Sequence, residues 1–235
     1  MGATHATLLT KRWPDAGTRR FALGATHARR LLAYARDPGN RDKRGRLRLD
    51  DGRGTLLGGY GSYRGTHAVE VGEGHSEAEQ VAHTTLIPHE RLDAALDGLP
   101  GLEALVEAGR RQLPAGVADG RALVPLHGHI LEQSSGAARF ADHADTEEER
   151  APGARAPDRR VVYTVVTLLS DGGDTAMRVL GQEPLVFTGE AGSGVAFLSE
   201  LWHRTERASE GVCKLAFFYG YMLGTGGPQQ PSRAV

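Results

Sequence analysis

The chain has 235 residues and a formal net charge of −1, with 40% hydrophobic and 24% charged residues. This composition predicts one globular domain and excludes the strong overall charge that binds nucleic acid or membrane surfaces. The chain shows neither a basic-then-apolar leader nor an apolar run of membrane-spanning length. We therefore expect a cytoplasmic protein without nucleic-acid or membrane partners.

The N-terminal half, residues 1–120, predicts a helical and irregular support region packed on the core of the same structural domain. Residues 1–25 carry no periodic pattern and are expected to be irregular. Thr26 can cap a short helix that ends near Ala35. Residues 37–54 are dense in Arg, Asp and Gly, which predicts an exposed loop.

Three further elements are predicted before residue 120. The alternation of residues 67–71 suits a half-buried strand. Pro88 is well placed as the first residue of a helix that ends near Gly98. A second helix follows Pro100, with apolar side chains at helical spacing. We expect both helices to brace the outside of a sheet.

From Arg121 the pattern changes to short apolar segments separated by Gly-rich turns, which predict strands. The predicted strands are residues 123–133, 137–141, 160–169, 176–180, 184–188, 194–199 and 212–222. Many short strands with almost no helix predict a sandwich or barrel, and a jelly roll fits their number. We expect this mainly β core to span residues 121–222, flanked by the helices and followed by a disordered tail over residues 223–235.

Two polar clusters stand where apolar strands end. Phe140–Thr146 contains His143 and Asp145, which can share one face if the strand continues through them. Alone, this His-x-Asp pair is a weak signal that is better explained as a surface pair. The segment Gly194–His203 adds a second imidazole where another apolar strand stops. Together, two imidazoles and one carboxylate form the ligand set of a non-haem Fe(II) centre.

Lys214 lies within the aromatic strand predicted over residues 212–222 and shares a face with Ala216 and Phe218. A lysine in the middle of such a strand is costly to bury unless it meets an anion. The alternative is a lysine that reaches the surface or lies on an edge strand. Cys213, the only cysteine, is expected to be a buried thiol rather than a nucleophile.

The ordered set of His143-x-Asp145, His203 and Lys214 resembles the Fe(II)/2-oxoglutarate-dependent oxygenases, and most of all their prolyl-hydroxylase-like branch. The match covers about residues 121–222. The resemblance implies a double-stranded β-helix core, the jelly roll of cupin-like proteins. It also implies that His143, Asp145 and His203 bind the catalytic Fe(II), and that Lys214 binds the far carboxylate of 2-oxoglutarate.

This chain departs from the branch at the tyrosine that often helps to hold 2-oxoglutarate. Leu168 falls near that position. Thr164, Thr167 or Gln133 could substitute as cofactor-binding residues. The remainder of the motif is intact.

The resemblance further implies a dioxygenase that consumes O2 and 2-oxoglutarate, releases succinate and carbon dioxide, and hydroxylates a bound substrate. An intact Asp145 favours hydroxylation, desaturation or ring closure over halogenation, because related halogenases carry a small residue there. The expected substrate is a small molecule or amino acid, as in specialised metabolism. The alternatives are a peptide or protein hydroxylase and a non-catalytic cupin-like metal-binding protein. The chain lacks the sequence motifs of a nucleophile elbow and of a phosphate-binding loop.

Several residues near the motif are candidate substrate contacts. Arg204 follows the distal histidine and could bind a substrate carboxylate or form an exposed salt bridge. His127 and His129 share one face of a strand and could form a second metal pair, line the substrate pocket or be satisfied core histidines. Glu147 opens an acidic run in a polar segment that predicts a mobile loop. That run could attract a cationic substrate or simply be solvated.

The remaining histidines show no paired spacing and are expected at the surface. They are His5, His27, His67, His75, His83 and His89.

Overall fold

A computed structural model describes most of the chain from residue 18 onward. It covers residues 18–43, 46–49, 58–60, 69–70, 83–116, 120–132, 139–140, 144–146, 159–171, 174–179, 185–188, 190–208 and 211–223. Several predictions fall on other residues, namely those for His143, Gln133, Glu147 and the polar loop that contains it, the surface positions of His5, His67 and His75, and the tail beyond Leu223. These predictions lie outside the described residues.

The described residues form three α-helices and twelve strands. In chain order they are β1 (Thr18–Ala22), α1 (Ala25–Arg36), β2 (Gly58–Tyr60), β3 (Val69–Glu70), β4 (His83–Ile87), α2 (Leu92–Gly98), α3 (Leu102–Arg110), β5 (Val124–Glu132), β6 (Arg139–Phe140), β7 (Arg159–Leu168), β8 (Asp174–Val179), β9 (Leu185–Thr188), β10 (Ser193–Leu198), β11 (His203–Ala208) and β12 (Cys213–Met222). Short 3-10 turns occupy Pro38–Asn40 and His89–Arg91. None of these helices is long and apolar enough to cross a membrane.

The strands form one large and one small antiparallel sheet. The large sheet has seven strands in the order β1-β10-β7-β12-β5-β4-β2, and the small sheet has the order β11-β8-β9. The short strand β6 pairs with β3 and lies against β11. From β5 to β12 the chain passes back and forth between the two sheets, which is the connectivity of a jelly roll. The predicted mainly β, double-stranded β-helix core is confirmed.

The two faces of the large sheet have different partners. On the outer face, α1 and α3 pack their apolar side chains, among them Leu31 and Leu105, into one core cluster with Val165 and Phe217 of the sheet. The Tyr219 hydroxyl crosses this layer and donates a hydrogen bond to a backbone carbonyl of α3 at 2.7 Å. Leu92 and Ala95 of α2 belong to the same cluster, so both helices that were predicted to brace the sheet pack on its outer face.

The N-terminal half also contributes strands to the large sheet. Strand β1 pairs with β10, and β4 pairs with β5. Neither strand was predicted, and the expectation of irregular structure over residues 1–25 is wrong for Thr18–Ala22. Arg19 and Arg20 interrupt the apolar alternation in β1, which hides it from a pattern search.

Three details of the predicted N-terminal elements are also wrong. Helix α1 has Gly24 as its N-cap without a side-chain cap bond, and Thr26 lies inside the helix. Pro88 precedes the 3-10 turn that leads into α2 instead of opening the helix itself. The loop after α1 is not simply exposed, since Leu47 and Leu49 are buried in the core.

Candidate functional site

The fold brings Asp145 and His203 together inside the jelly roll. Asp145 lies in the turn 144–146 that follows β6, and His203 is the first residue of β11. The Asp145 Oδ1 and His203 Nε2 atoms are 3.7 Å apart, and both side chains are buried. This distance is too long for a hydrogen bond between them. Asp145 lies in a turn, whereas the sequence pattern predicted that a strand would continue through it.

A backbone contact fixes the orientation of the His203 ring. Its Nδ1 lies 2.9 Å from the Leu201 carbonyl, which can only accept, so Nδ1 carries the hydrogen and donates. The Phe197 ring packs edge-on against the imidazole at a centroid distance of 4.6 Å. The Nε2 atom consequently faces Asp145. A hydrogen bond on one ring nitrogen that directs the other is the usual support of a metal-binding histidine.

Asp145 is held by the hydroxyl of Thr164, which is itself held by the hydroxyl of Ser199. Thr164, on β7, donates to Asp145 Oδ2 at 2.5 Å, and its oxygen lies 2.8 Å from the Ser199 hydroxyl. Since Thr164 has one hydrogen and gives it to the carboxylate, Ser199 must donate to Thr164. The chain Ser199–Thr164–Asp145 is buried throughout. From the sequence, Thr164 was predicted as a possible 2-oxoglutarate contact. Ser199 was not predicted, because its only signal is a hydroxyl at the end of an apolar strand.

Lys214 occupies the centre of the large sheet. It lies on β12 between Leu131 of β5 and Leu168 of β7, and only 4% of its surface is exposed. The alternative of an edge-strand or surface lysine is therefore wrong. Burial lowers the pKa of Lys214 to about 8. Within the described part of the chain its ammonium group has no ion pair, so an anion from outside the protein would relieve the cost of its burial.

His127 and His129 lie on the same inner face as Lys214. Their ring centroids are 6.2 Å apart, and His127 stacks on Phe218 at 4.5 Å while His129 meets Phe218 edge-on at 5.3 Å. Burial, followed by the charges of His129 and Arg159, lowers the pKa of His127 to about 3. His127 is thus neutral at physiological pH. Both rings line the inner face beside Phe218, as histidines of a substrate pocket or of the core would.

The other predicted residues are distributed as follows. The backbone of Arg204 pairs with Arg178 in the small sheet, and its side chain is not described. Thr167 is three residues from Thr164 and therefore faces the opposite side of the sheet. Cys213 is buried, as predicted, and burial raises the pKa of its thiol to about 12. His89 is not a surface residue, because its Nδ1 lies 3.0 Å from the Leu126 carbonyl and is partly buried.

The donor set fits a divalent first-row cation. Imidazole nitrogen and carboxylate oxygen bind such metals at about 2.0–2.2 Å, so two donors 3.7 Å apart can share one ion. His203 presents the correct nitrogen, and Asp145 keeps Oδ1 directed towards it while Oδ2 is held by Thr164. Two of the three predicted ligands are thus described and lie close enough to share an ion; the third, His143, lies outside the described residues.

No protein-family model matches this sequence, and no curated protein matches it. Solved structures do match its fold. A prolyl-4-hydroxylase from Pseudomonas putida is 18% identical with a TM-score of 0.51, covering 92% of this chain and 98% of that chain. A prolyl hydroxylase from Trichoplax adhaerens, in complex with a hypoxia inducible factor peptide fragment, is 10% identical with a TM-score of 0.52, covering 92% and 88%. The alpha-ketoglutarate-dependent epimerase SnoN of nogalamycin biosynthesis is 12% identical with a TM-score of 0.53, covering 98% and 91%.

The described part of the chain therefore has the fold of the 2-oxoglutarate/Fe(II) oxygenases. The resemblance that the sequence motif indicated is confirmed at the level of the fold.

Proposed function

We propose that this protein is an Fe(II)- and 2-oxoglutarate-dependent dioxygenase that hydroxylates a small molecule or an amino acid. The observation that carries the proposal is the buried Asp145–His203 pair, with each side chain oriented by a separate hydrogen bond. A buried lysine on the inner face of the same jelly roll adds a site for an anion.

In this proposal His143, Asp145 and His203 hold the iron, and Lys214 pairs with the far carboxylate of 2-oxoglutarate. When bound, the iron and 2-oxoglutarate, with O2, supply the oxidising power for hydroxylation and release succinate and carbon dioxide.

The described residues have defined tasks around these groups. The hydroxyls of Thr164 and Ser199 hold Asp145 in one orientation, and the Leu201 carbonyl keeps the proton of His203 on Nδ1. A buried apolar cluster covers this part of the sheet, and its member Leu168 is the register partner of Lys214; the cluster consists of Val166, Leu168, Val195, Phe197, Val212 and Ala216. This surface excludes water, so an ion pair formed at Lys214 is stronger than it would be in solvent.

The proposal is tested by anaerobic binding of Fe(II) and 2-oxoglutarate. We expect a visible charge-transfer band in the wild type and its loss in Asp145→Ala and His203→Ala, since each removes a ligand. Lys214→Ala is expected to weaken 2-oxoglutarate binding by roughly tenfold or more, because a charge-assisted contact is lost. His143→Ala extends the same test to the third predicted ligand.

His27→Ala is the matched control, because His27 is an exposed histidine on α1. It should leave the band unchanged. A wild-type protein that forms no band and copurifies with zinc would contradict the proposal and favour a differently metallated cupin-like protein. Succinate formation with added small molecules and amino acids then identifies the class of substrate.

A further inference from the structure

The inner face of the large sheet carries a second cationic residue besides Lys214, namely Arg159. Val161, Leu126 and Phe218 form one buried cluster on that face. Arg159 precedes Val161 by two residues on β7 and therefore projects from the same face. Its register partner on β12 is Met222, which is 41% exposed. Arg159 thus lies on the inner face at the end of the sheet that opens to solvent.

Arg159 differs from the arginines of the helical layer. Arg29 and Arg36 are each paired with a carboxylate, at 2.8 Å from Asp171 and 2.6 Å from Glu132. Arg159 is half-buried, yet in the described part of the chain it has neither an ion pair nor a side-chain hydrogen bond. A partly desolvated guanidinium without a carboxylate is suited to bind an anion.

His127 provides a neighbouring polar surface. It stacks on Phe218 with its ring planes 17° apart, and its Nδ1 is buried without a hydrogen-bond partner among the described residues. Phe218, which stacks on His127, also belongs to the buried cluster with Val161, so the ring pair lies next along the inner face from Arg159. The carboxylate that also acts on His127 is Asp145, which already accepts a hydrogen bond from Thr164.

The metal-ligand position lies between the two cations. On β12, Lys214 is opposite Leu168, Phe218 is opposite Thr164, and Met222 is opposite Arg159. At about 3.3 Å per residue, Lys214 and Arg159 are separated by roughly 26 Å of strand, with Thr164 near the midpoint. One anion cannot reach both ends. If 2-oxoglutarate binds at Lys214, Arg159 serves a different molecule.

We propose that Arg159, beside the His127–Phe218 ring pair, is the anion-binding subsite for the primary substrate, which carries a carboxylate group. This inference rests on the proposed function, because the substrate meant here is that of the proposed oxygenase. The proposed substrate is anionic. The acidic run that begins at Glu147 had suggested the opposite charge, a cationic substrate.

The test compares acids with their uncharged amides. Benzoate and benzamide, and phenylacetate and its amide, are titrated into the full chain with Fe(II) and excess 2-oxoglutarate under anaerobic conditions, and binding is followed by ligand-observed NMR. We expect the acids to bind more tightly than the amides. In Arg159→Gln the dissociation constants of the acids should rise roughly tenfold or more, while those of the amides change little.

Arg160→Gln is the matched control, since Arg160 is the next residue of the strand, is exposed and projects from the opposite face. It should leave acid binding unchanged. The inference is overturned if acids and amides bind alike, if no acid binds, or if both arginine variants have the same effect.

The two proposals fail in different ways. If the charge-transfer band forms but acid binding ignores Arg159, the subsite is wrong and the oxygenase stands. If acid binding depends on Arg159 but no band forms, the subsite stands and the oxygenase is wrong.

Discussion

His203 shows how one backbone carbonyl sets the chemistry of a side chain. The 2.9 Å contact from Nδ1 to the Leu201 carbonyl determines which nitrogen carries the proton, and hence which nitrogen faces Asp145. The sequence predicted that an imidazole would emerge near this point. Which ring nitrogen carries the proton follows only from the turn that places the Leu201 carbonyl beside the His203 ring.

Lys214 is the second residue whose properties come from its surroundings. Its pKa is lowered to about 8 from a usual value of 10.5 because β12 is covered on both sides. Between these two pH values the unfolded chain keeps a proton that the folded chain has released. The free energy of unfolding therefore rises with pH across this window.

We predict that the metal-free and cosubstrate-free wild type gains up to about 3 kcal/mol of stability relative to Lys214→Met between pH 8 and 10.5. Urea denaturation of both proteins across this range measures the difference, and their other titrating groups cancel because both chains carry them. Addition of 2-oxoglutarate with Fe(II) should reduce the slope, since an anion restores the charged lysine. A constant difference between the two proteins would contradict the assigned burial effect.

At the scale of elements, β7 joins parts of the chain that are distant in sequence. Its Thr164 hydroxyl connects the turn of Asp145 with the turn after β10, through Ser199. The same strand carries Arg159 at its open end and runs between β10 and β12 in the sheet. One buried strand thus positions a candidate ligand and a candidate substrate contact.

We predict that Thr164→Val weakens Fe(II) binding by roughly 10- to 100-fold, because Asp145 loses the donor that orients it. Thr164→Ser keeps the hydroxyl and is the matched control, with an expected affinity near that of the wild type. Anaerobic Fe(II) titration followed by the charge-transfer band measures both. Equal affinity in the wild type and Thr164→Val would show that Asp145 does not need this bond.

At the scale of the whole molecule, the proposed metal joins the two sheets. His203 opens β11 in the small sheet, while Asp145 is held to the large sheet through Thr164. An ion bound by both side chains would connect the layers only in the folded state. Metal binding and overall stability are then coupled.

We predict that Fe(II), added anaerobically at about a hundredfold excess over its dissociation constant, stabilises the wild type by about 2.7 kcal/mol, which raises the Tm by roughly 5–10 °C. A chelator should reverse the shift. His203→Ala should show little of it, whereas His27→Ala should behave as the wild type. Equal shifts in His203→Ala and the wild type would place the metal elsewhere.

The jelly roll was predictable because its signals are local. Alternating apolar residues and Gly-rich turns mark β5, β7, β10 and β12 within a few residues of their ends, and the same alternation puts Lys214 on one face with Phe218. The order of the polar clusters along the chain was sufficient to suggest the fold family. These signals come from residues that are neighbours in the sequence, so they can be read from the sequence of one protein.

The remaining features depend on pairings between distant segments. Strand β1 joins the sheet only because β10 offers it an edge, and Asp145 meets His203, Thr164 and Ser199 only after two sheets have packed. The place of Arg159, at the opposite end of the inner face from Lys214, likewise follows from the register of β7 against β12. Which residues share a site was decided by packing between distant strands, because hydrogen bonds and burial act through space.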